Sequence, residues 1–320
     1  MEATGPRSRG RCNPWAQHCD NPETVDHPRI HWLADPAVLA PIALLVFVYV
    51  RRFLEVRSEA GAREEAAPAR AAAGRGATWV HAVAFAGAIL ALLAALVSPI
   101  DALGEEYLFS AHMLQHVLLG DIAPLLLLLS LSRVMLRPVT RRLMGIERAL
   151  GPLASPVTAI VIWLGTMYLW HIPALYDAAL EHSLVHVLEH FSFFAAGLAL
   201  WWPLIQPIPM RRSLTGLQPL AYIATAKGSL AALGLVLAWS STAFYPFYED
   251  VPRIWNLTAV EDQNVAGVIM MVEQSMTLVL VLVWVFVRML TRSEEDELRR
   301  ERLEEAQVPA SNVDVISTGP

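Results

Sequence analysis

Charge is scarce in this sequence. Of its 320 residues, 17% are Asp, Glu, Lys or Arg, where soluble domains carry about one quarter, so a water-soluble domain is excluded as the main body. Cysteine is nearly missing: Cys12 and Cys19 stand in the N-terminal tail and none lies in the apolar bulk. That excludes an iron–sulfur cluster or a four-cysteine zinc site in the core. No basic block alternates with aromatics, so a nucleic-acid partner has no support. No long internal repeat is present. The first apolar run lacks a preceding basic region and a small-residue cleavage site, so it reads as a span rather than a signal peptide.

What is abundant is apolar length. The sequence is 55% hydrophobic with a mean hydropathy of +0.43. Runs of spanning length fall at about 36–53, 78–100, 107–131, 155–172, 183–206, 218–243 and 264–288. The first and fourth are the shortest. The pattern predicts an all-α integral membrane protein with a seven-helix bundle. Residues 1–35 form an N-terminal tail, 36–290 the membrane domain and 291–320 a charged C-terminal tail. The linker "EVRSEAGAREEAAPARAAAGRG" has low complexity, and "RSEEDELRRERLEEAQ" reads as a solvated charged helix.

Arginine placement sets the expected orientation. Loops 51–77, 132–154 and 207–217 hold thirteen arginines, whereas 101–106, 173–182 and 244–263 hold Arg253 against nine acids. The positive-inside rule then puts the N-terminus outside and the C-terminus in the cytoplasm. Arg7, Arg9 and Arg11 run against this, but they lie beyond the near-span window where the rule is strongest.

This orientation gathers the histidines. "EHSLVHVLEHF" places His182, His186 and His190 at steps of four, with Glu189 beside the last. His112 and His116 lie in the outer half of the third span, His171 at the outer end of the fourth, and Asp262 and Gln263 at the mouth of the seventh. Steps of four keep each set on one helical face. A single histidine at an interface is ordinarily a hydrated or hydrogen-bonded tip. Six at one depth from three helices point instead to a shared metal or cofactor site, since ionisable groups inside spans face cavities or the bundle interior. Copper suits a set of histidines and methionines without thiolates, with Met113 beside His112, Met167 one turn below His171, and Met270 and Met271 on the last span. The bland reading of each Met is adaptable core packing. Haem, with two histidines as axial ligands, and zinc are the alternatives. The string His186-Val-Leu-Glu189-His190 also matches the H-x-x-E-H pattern of inverted zinc peptidases, with Glu189 as base.

Asp121 and Lys227 fall at matching depth and read as a mid-membrane ion pair joined by Glu273, structural before functional. His81 is without sequence partners. Cys12 and Cys19 read as a disulfide in an oxidising exterior, with capture of external copper as the weaker option.

Three motifs in order, "SPIDALGEEYLFSAHMLQHVLLGDIAPLLLL", "WHIPALYDAALEHSLVHVLEHFSFFAAGLALWWPLI" and "EDQNVAGVIM", resemble the polytopic CtaG family of caa(3)-type cytochrome c oxidase assembly factors. The resemblance covers about residues 78–290 and implies a multi-pass protein of the bacterial cytoplasmic membrane. It implies a metallochaperone rather than an enzyme, working with cytochrome c oxidase subunits and periplasmic copper chaperones. The matched positions imply a metal set of His112, His116, His171, His186, His190, Met113 and Met270. Supporting roles fall to Gln115, Asp177, Glu189, Asp262 and Gln263. His182 is not among the matched positions; a full turn nearer the helix start than His186, it is expected at the mouth as an entry point. Two features depart from the family pattern: the cysteine tail, and Met271-Val-Glu273-Gln274 after Met270.

Overall fold

The computed structural model describes Trp32 and residues 35–66 and 76–307, and all that follows concerns these residues. Cys12 and Cys19 lie outside them, as does the end of the C-terminal tail. Among the described residues the only regular structure is helical.

The helices are α1 (Pro36–Ala66), α2 (Trp79–Leu96), α3 (Pro99–Glu106), α4 (Phe109–Leu129), α5 (Arg137–Leu150), α6 (Pro156–Trp170), α7 (Pro173–Glu181), α8 (Ser183–Ile205), α9 (Gln218–Trp239) and α10 (Ala259–Gln307). Among the described residues, six segments are long and apolar enough to cross a membrane: most of α1, α2 with α3, α4, α8, α9 and α10. The bent pair Arg137–Leu153 and Pro156–Trp170 passes the same length and composition test only when taken together, which makes six spans, or seven if the pair counts as one; α6 alone is short. Its 15 residues reach only ~22 Å at 1.5 Å per residue, against a hydrocarbon thickness of ~30 Å.

Local sequence explains the breaks. Ser98 caps α3, its hydroxyl accepting from the Ile100 N–H at 3.2 Å, with Pro99 at the first helical position where no N–H is needed. The joint between α5 and α6 bends by 78°. The arginine-bearing α5 has no buried residue, as expected of an amphipathic helix lying along a membrane surface. At the other extreme, α10 runs 49 residues without interruption, so the last span and the charged segment after it are one helix.

Helices α4, α6, α8, α9 and α10 enclose the main apolar core, with Trp163, Phe193, Trp201 and Ile223 among its fully buried side chains. α1 contributes mainly Tyr49, which stacks on Phe85 of α2 at 3.6 Å between centroids. His81 closes a capping box at the start of α2 with Thr78, 2.7 Å from its hydroxyl.

At mid-depth a polar island interrupts the core. Lys227 of α9, the only lysine in the chain, is fully buried and bonds Asp121 of α4 and, at 3.3 Å, Glu273 of α10. The Trp201 indole N–H donates to Asp121 at 3.0 Å, and the Thr277 hydroxyl donates to Glu273 at 2.7 Å. The ammonium also lies 5.3 and 5.4 Å from the ring centres of Trp163 and Trp201, within cation–π range. Every charge in the island therefore has partners, which is the condition under which a buried ion group is tolerated.

Candidate metal centre

At the end of the bundle where α4, α8 and α10 begin and α6 ends, four ligand-type side chains converge. One atom each from His112, His116, Glu189 and His190 lies within 4.8 Å of the other three. The first three are buried and His190 is half-buried. The α4 pair, His112 and His116, stands four residues apart on one helical face, whereas Glu189 and His190 of α8 are consecutive and reach the group from directions about 100° apart.

The start of α4 is held by another helix. Leu108 stands at its N-cap without a capping side chain. The Asp262 carboxylate of α10 takes that place, accepting from the Phe109 and Ser110 N–H groups at 2.6 and 3.2 Å. Gln263 beside it accepts from the Phe244 N–H at 2.7 Å and donates to the Thr242 carbonyl at 3.1 Å, which fixes the loop that delivers Tyr245 and Tyr248. Gln115 turns toward α2 and α3, donating to the Ala95 carbonyl at 2.8 Å and to the Asp101 carboxylate. A Cβ on Gly104 would sit 2.9 Å from the His112 Cα and N, so the absent side chain lets α3 press against the turn carrying that ligand.

Hydrogen bonds fix which nitrogen His112 and His171 offer. The Tyr248 hydroxyl donates to the Gly104 carbonyl at 2.6 Å, an atom that only accepts. Its oxygen then accepts from the Tyr176 hydroxyl at 3.2 Å, and Tyr176 accepts from Nδ1–H of His112. Only this direction makes all three bonds. It leaves Nε2 of His112 as a bare lone pair, buried and without a partner. Burial pushes the Tyr176 and Tyr248 hydroxyls well above the ordinary phenol range, so both keep the protons the chain needs.

His171 follows the same rule: Nδ1–H donates to the Met167 carbonyl at 2.7 Å and Nε2 is unpartnered. In His186, Nδ1 lies 3.0 Å from the Glu105 carboxylate and Nε2 is unpartnered. Both nitrogens of His116, Nε2 of His190 and both oxygens of Glu189 are also buried without a hydrogen bond. The Glu189 carboxylate comes to 3.6 Å from Nε2 of His116, too long for one.

Not every residue singled out from the sequence joins the four. His186 stacks near His190, with ring centres 4.0 Å apart, but it stands outside the tight group and pairs with Glu105. Met113, Met270 and His171 line a small cavity beside it, with His116 in the shared wall. Glu189, expected to support a ligand, lies among the ligand atoms. Asp177 has one oxygen without a partner; burial and the neighbouring Glu181 push its carboxyl above the usual range, partly offset by the Phe247 N–H. His182 is exposed at the start of α8, its ring 3.2 Å from the Ala178 carbonyl. Glu105, Tyr245 and Tyr248 are site neighbours that the sequence reading did not single out.

Residues 66–292 match the model of a family described as cytochrome c oxidase caa3 assembly factor (Caa3_CtaG). An uncharacterized protein of Mycobacterium leprae (strain TN) is 24% identical over 294 residues, covering 85% of this chain and 41% of that protein. Uncharacterized proteins of Mycobacterium bovis and Mycobacterium tuberculosis are each 25% identical over 180 residues, covering 50% of this chain and 26% of theirs. The chain thus spans well under half the length of these curated relatives. No solved structure matches it.

Proposed function

The chain belongs to the family of cytochrome c oxidase caa3 assembly factors, and from that premise we propose that it serves assembly by binding copper at His112, His116, Glu189 and His190 and passing it to an oxidase subunit. Copper here is cargo. In this reading the protein is a multi-pass component of the bacterial cytoplasmic membrane. The arginine-rich loops stay inside, and the histidine end opens outward toward oxidase subunits and periplasmic copper chaperones.

One observation carries the proposal. Three imidazoles and a carboxylate are turned toward one another in the protein interior with ligand atoms that make no hydrogen bond. Leaving such groups unsatisfied is costly, and a cation at their centre would satisfy all four at once. Metal–imidazole bonds of ~2.0–2.1 Å place tetrahedral ligand atoms ~3.4 Å apart, so the present group needs only a small contraction. The Nδ1–H bond of His112 is the outer-shell contact that orients a ligating ring. Imidazole and carboxylate ligands serve zinc and copper alike, and what favours copper is the thioether sulfur lining the adjoining cavity, with no cysteine beside the group among the described residues.

The other readings fare less well. A zinc peptidase of the H-x-x-E-H type needs His186 and His190 as the ligand pair, whereas His186 turns to Glu105 and Glu189 sits in ligand position. The cavity next to the cluster measures about 20 Å³, which leaves no slot for a haem.

The test is an anaerobic Cu(I) titration of the detergent-purified chain against a chromophoric chelator. Wild type should hold copper at this site, and His116→Ala with His190→Ala should abolish that uptake. Equal uptake by wild type and the double variant would overturn the proposal. Glu189→Gln should weaken copper binding rather than remove a hydrolytic activity.

A further inference from the structure

Beside the imidazole–carboxylate cluster, across His116, the helices leave a cavity of about 20 Å³, the size of about one water or one ion. Met113 of α4, Met167 of α6 and Met270 of α10 line it, each from a different helix, and all three are buried. His171 lines it as well, with its only remaining ring nitrogen a bare lone pair. His116 stands in the wall shared with the cluster, and Asp121 of the Lys227 island lines it too.

We propose that Met113, Met167, Met270 and Nε2 of His171 form a second, sulfur-rich site for a soft monovalent cation, Cu(I), on the other side of His116 from the imidazole–carboxylate cluster. The inference rests on the copper reading above and adds a second site that differs in donor chemistry.

Helix direction sets the levels. α4 and α10 run inward from the cluster end and α6 runs outward to it, so Met167 lies one turn below His171 while Met113 and Met270 descend from the opposite direction. Met113 stands between His112 and His116 on α4, so the three thioethers face the cavity from three helices alongside His116 and His171, with Asp121 also in its wall. Any one of them could be ordinary packing. Three facing one cavity, with a fixed imidazole lone pair beside them, make a donor set that matches Cu(I) by softness. A water molecule is the competing occupant, since the Trp163 indole N–H and Gln274 Oε1 also line the cavity unpartnered. Thioether sulfur is a weak acceptor and donates nothing, so a water would leave the three methionines without a role, and the ligand shell seen on copper loading separates the two occupants.

The experiment is X-ray absorption at the copper edge on the full chain, purified in detergent and loaded anaerobically with Cu(I) alone. Cys12→Ser and Cys19→Ser are included so that thiols cannot contribute sulfur. The site predicts a sulfur shell beside a nitrogen/oxygen shell. Replacing the three methionines with Leu, a change that conserves volume, should abolish the sulfur shell and about halve the bound copper, leaving nitrogen and oxygen ligands in place. His190→Ala should do the reverse and keep the sulfur shell. A loaded protein showing nitrogen and oxygen ligands only, with copper content indifferent to the Met→Leu changes, would overturn this site while leaving the imidazole–carboxylate one standing. Absence of copper from wild type would overturn both. Should the triple variant fail to fold, the sulfur shell of the parent protein and each single Met→Leu change decide the matter.

Discussion

His112 owes its poise to neighbours that carry no ligand signature themselves. The relay from its Nδ1–H through Tyr176 and Tyr248 to the Gly104 carbonyl orients the ring and fixes the tautomer. Tyr176→Phe deletes the first acceptor without changing the ligands. We expect the same copper stoichiometry with affinity lowered ~10–100-fold, the range measured when an outer-shell partner of a metal ligand is removed. Competition titration reads this directly, and an unchanged affinity would show that the relay does no orienting. That His112 and His116 share a face, as do His186 and His190, was legible because steps of four on a helix imply one face. Glu105 and Tyr248 were not. They reach the site from a neighbouring helix and from a loop, and a single sequence carries no signal of such tertiary contact.

Among the elements, α4 holds the feature that links the cluster to the island below. Residues Leu118–Ile122 form a π-helical turn, whose hydrogen bonds reach five residues rather than four. In an α-helix Asp121 would stand ~140° around from His116 at 100° per residue. The π turn brings it beneath His116, so both line the same cavity. Periodicity cannot reveal this, because the insertion breaks the repeat that a helical reading assumes. The turn is braced from α8: a Cβ on Gly197 would fall 1.9 Å from the Gly120 carbonyl oxygen, a contact only glycine permits and a small-residue packing typical of membrane helices. Gly197→Ala must push α8 off the turn. The expected result is a lower melting temperature in detergent and a disturbed Trp201 environment, since the Trp201–Asp121 bond spans the same seam. An alanine variant with wild-type melting and Trp fluorescence would refute the bracing role. The surface helix α5 and its 78° joint to α6 were legible only as an arginine-rich loop before a short span.

For the molecule as a whole, composition and run length sufficed for the fold class, because a chain this apolar can satisfy its backbone in lipid only as helices or a closed barrel, and its runs have helical length. The Lys227 island pins three of those helices together at mid-depth. Lys227→Met leaves two carboxylates facing each other in the core and should cost about 3–5 kcal/mol, as other broken buried pairs do. Adding Asp121→Asn and Glu273→Gln removes the stranded charges and should recover much of that loss. Thermal unfolding of the single and triple variants measures both, and a triple variant no more stable than Lys227→Met would refute the pairing account. The central claim, that the buried His112, His116, Glu189 and His190 group supplies copper for oxidase assembly, meets its most direct test in the product. In a strain lacking this protein, complemented either with wild type or with the His116→Ala, His190→Ala variant at equal membrane levels, the copper content of the purified oxidase is the measurement. Wild type should restore full copper, and the variant should leave a copper-deficient, inactive oxidase; an oxidase fully loaded with copper in the variant strain would refute the copper role.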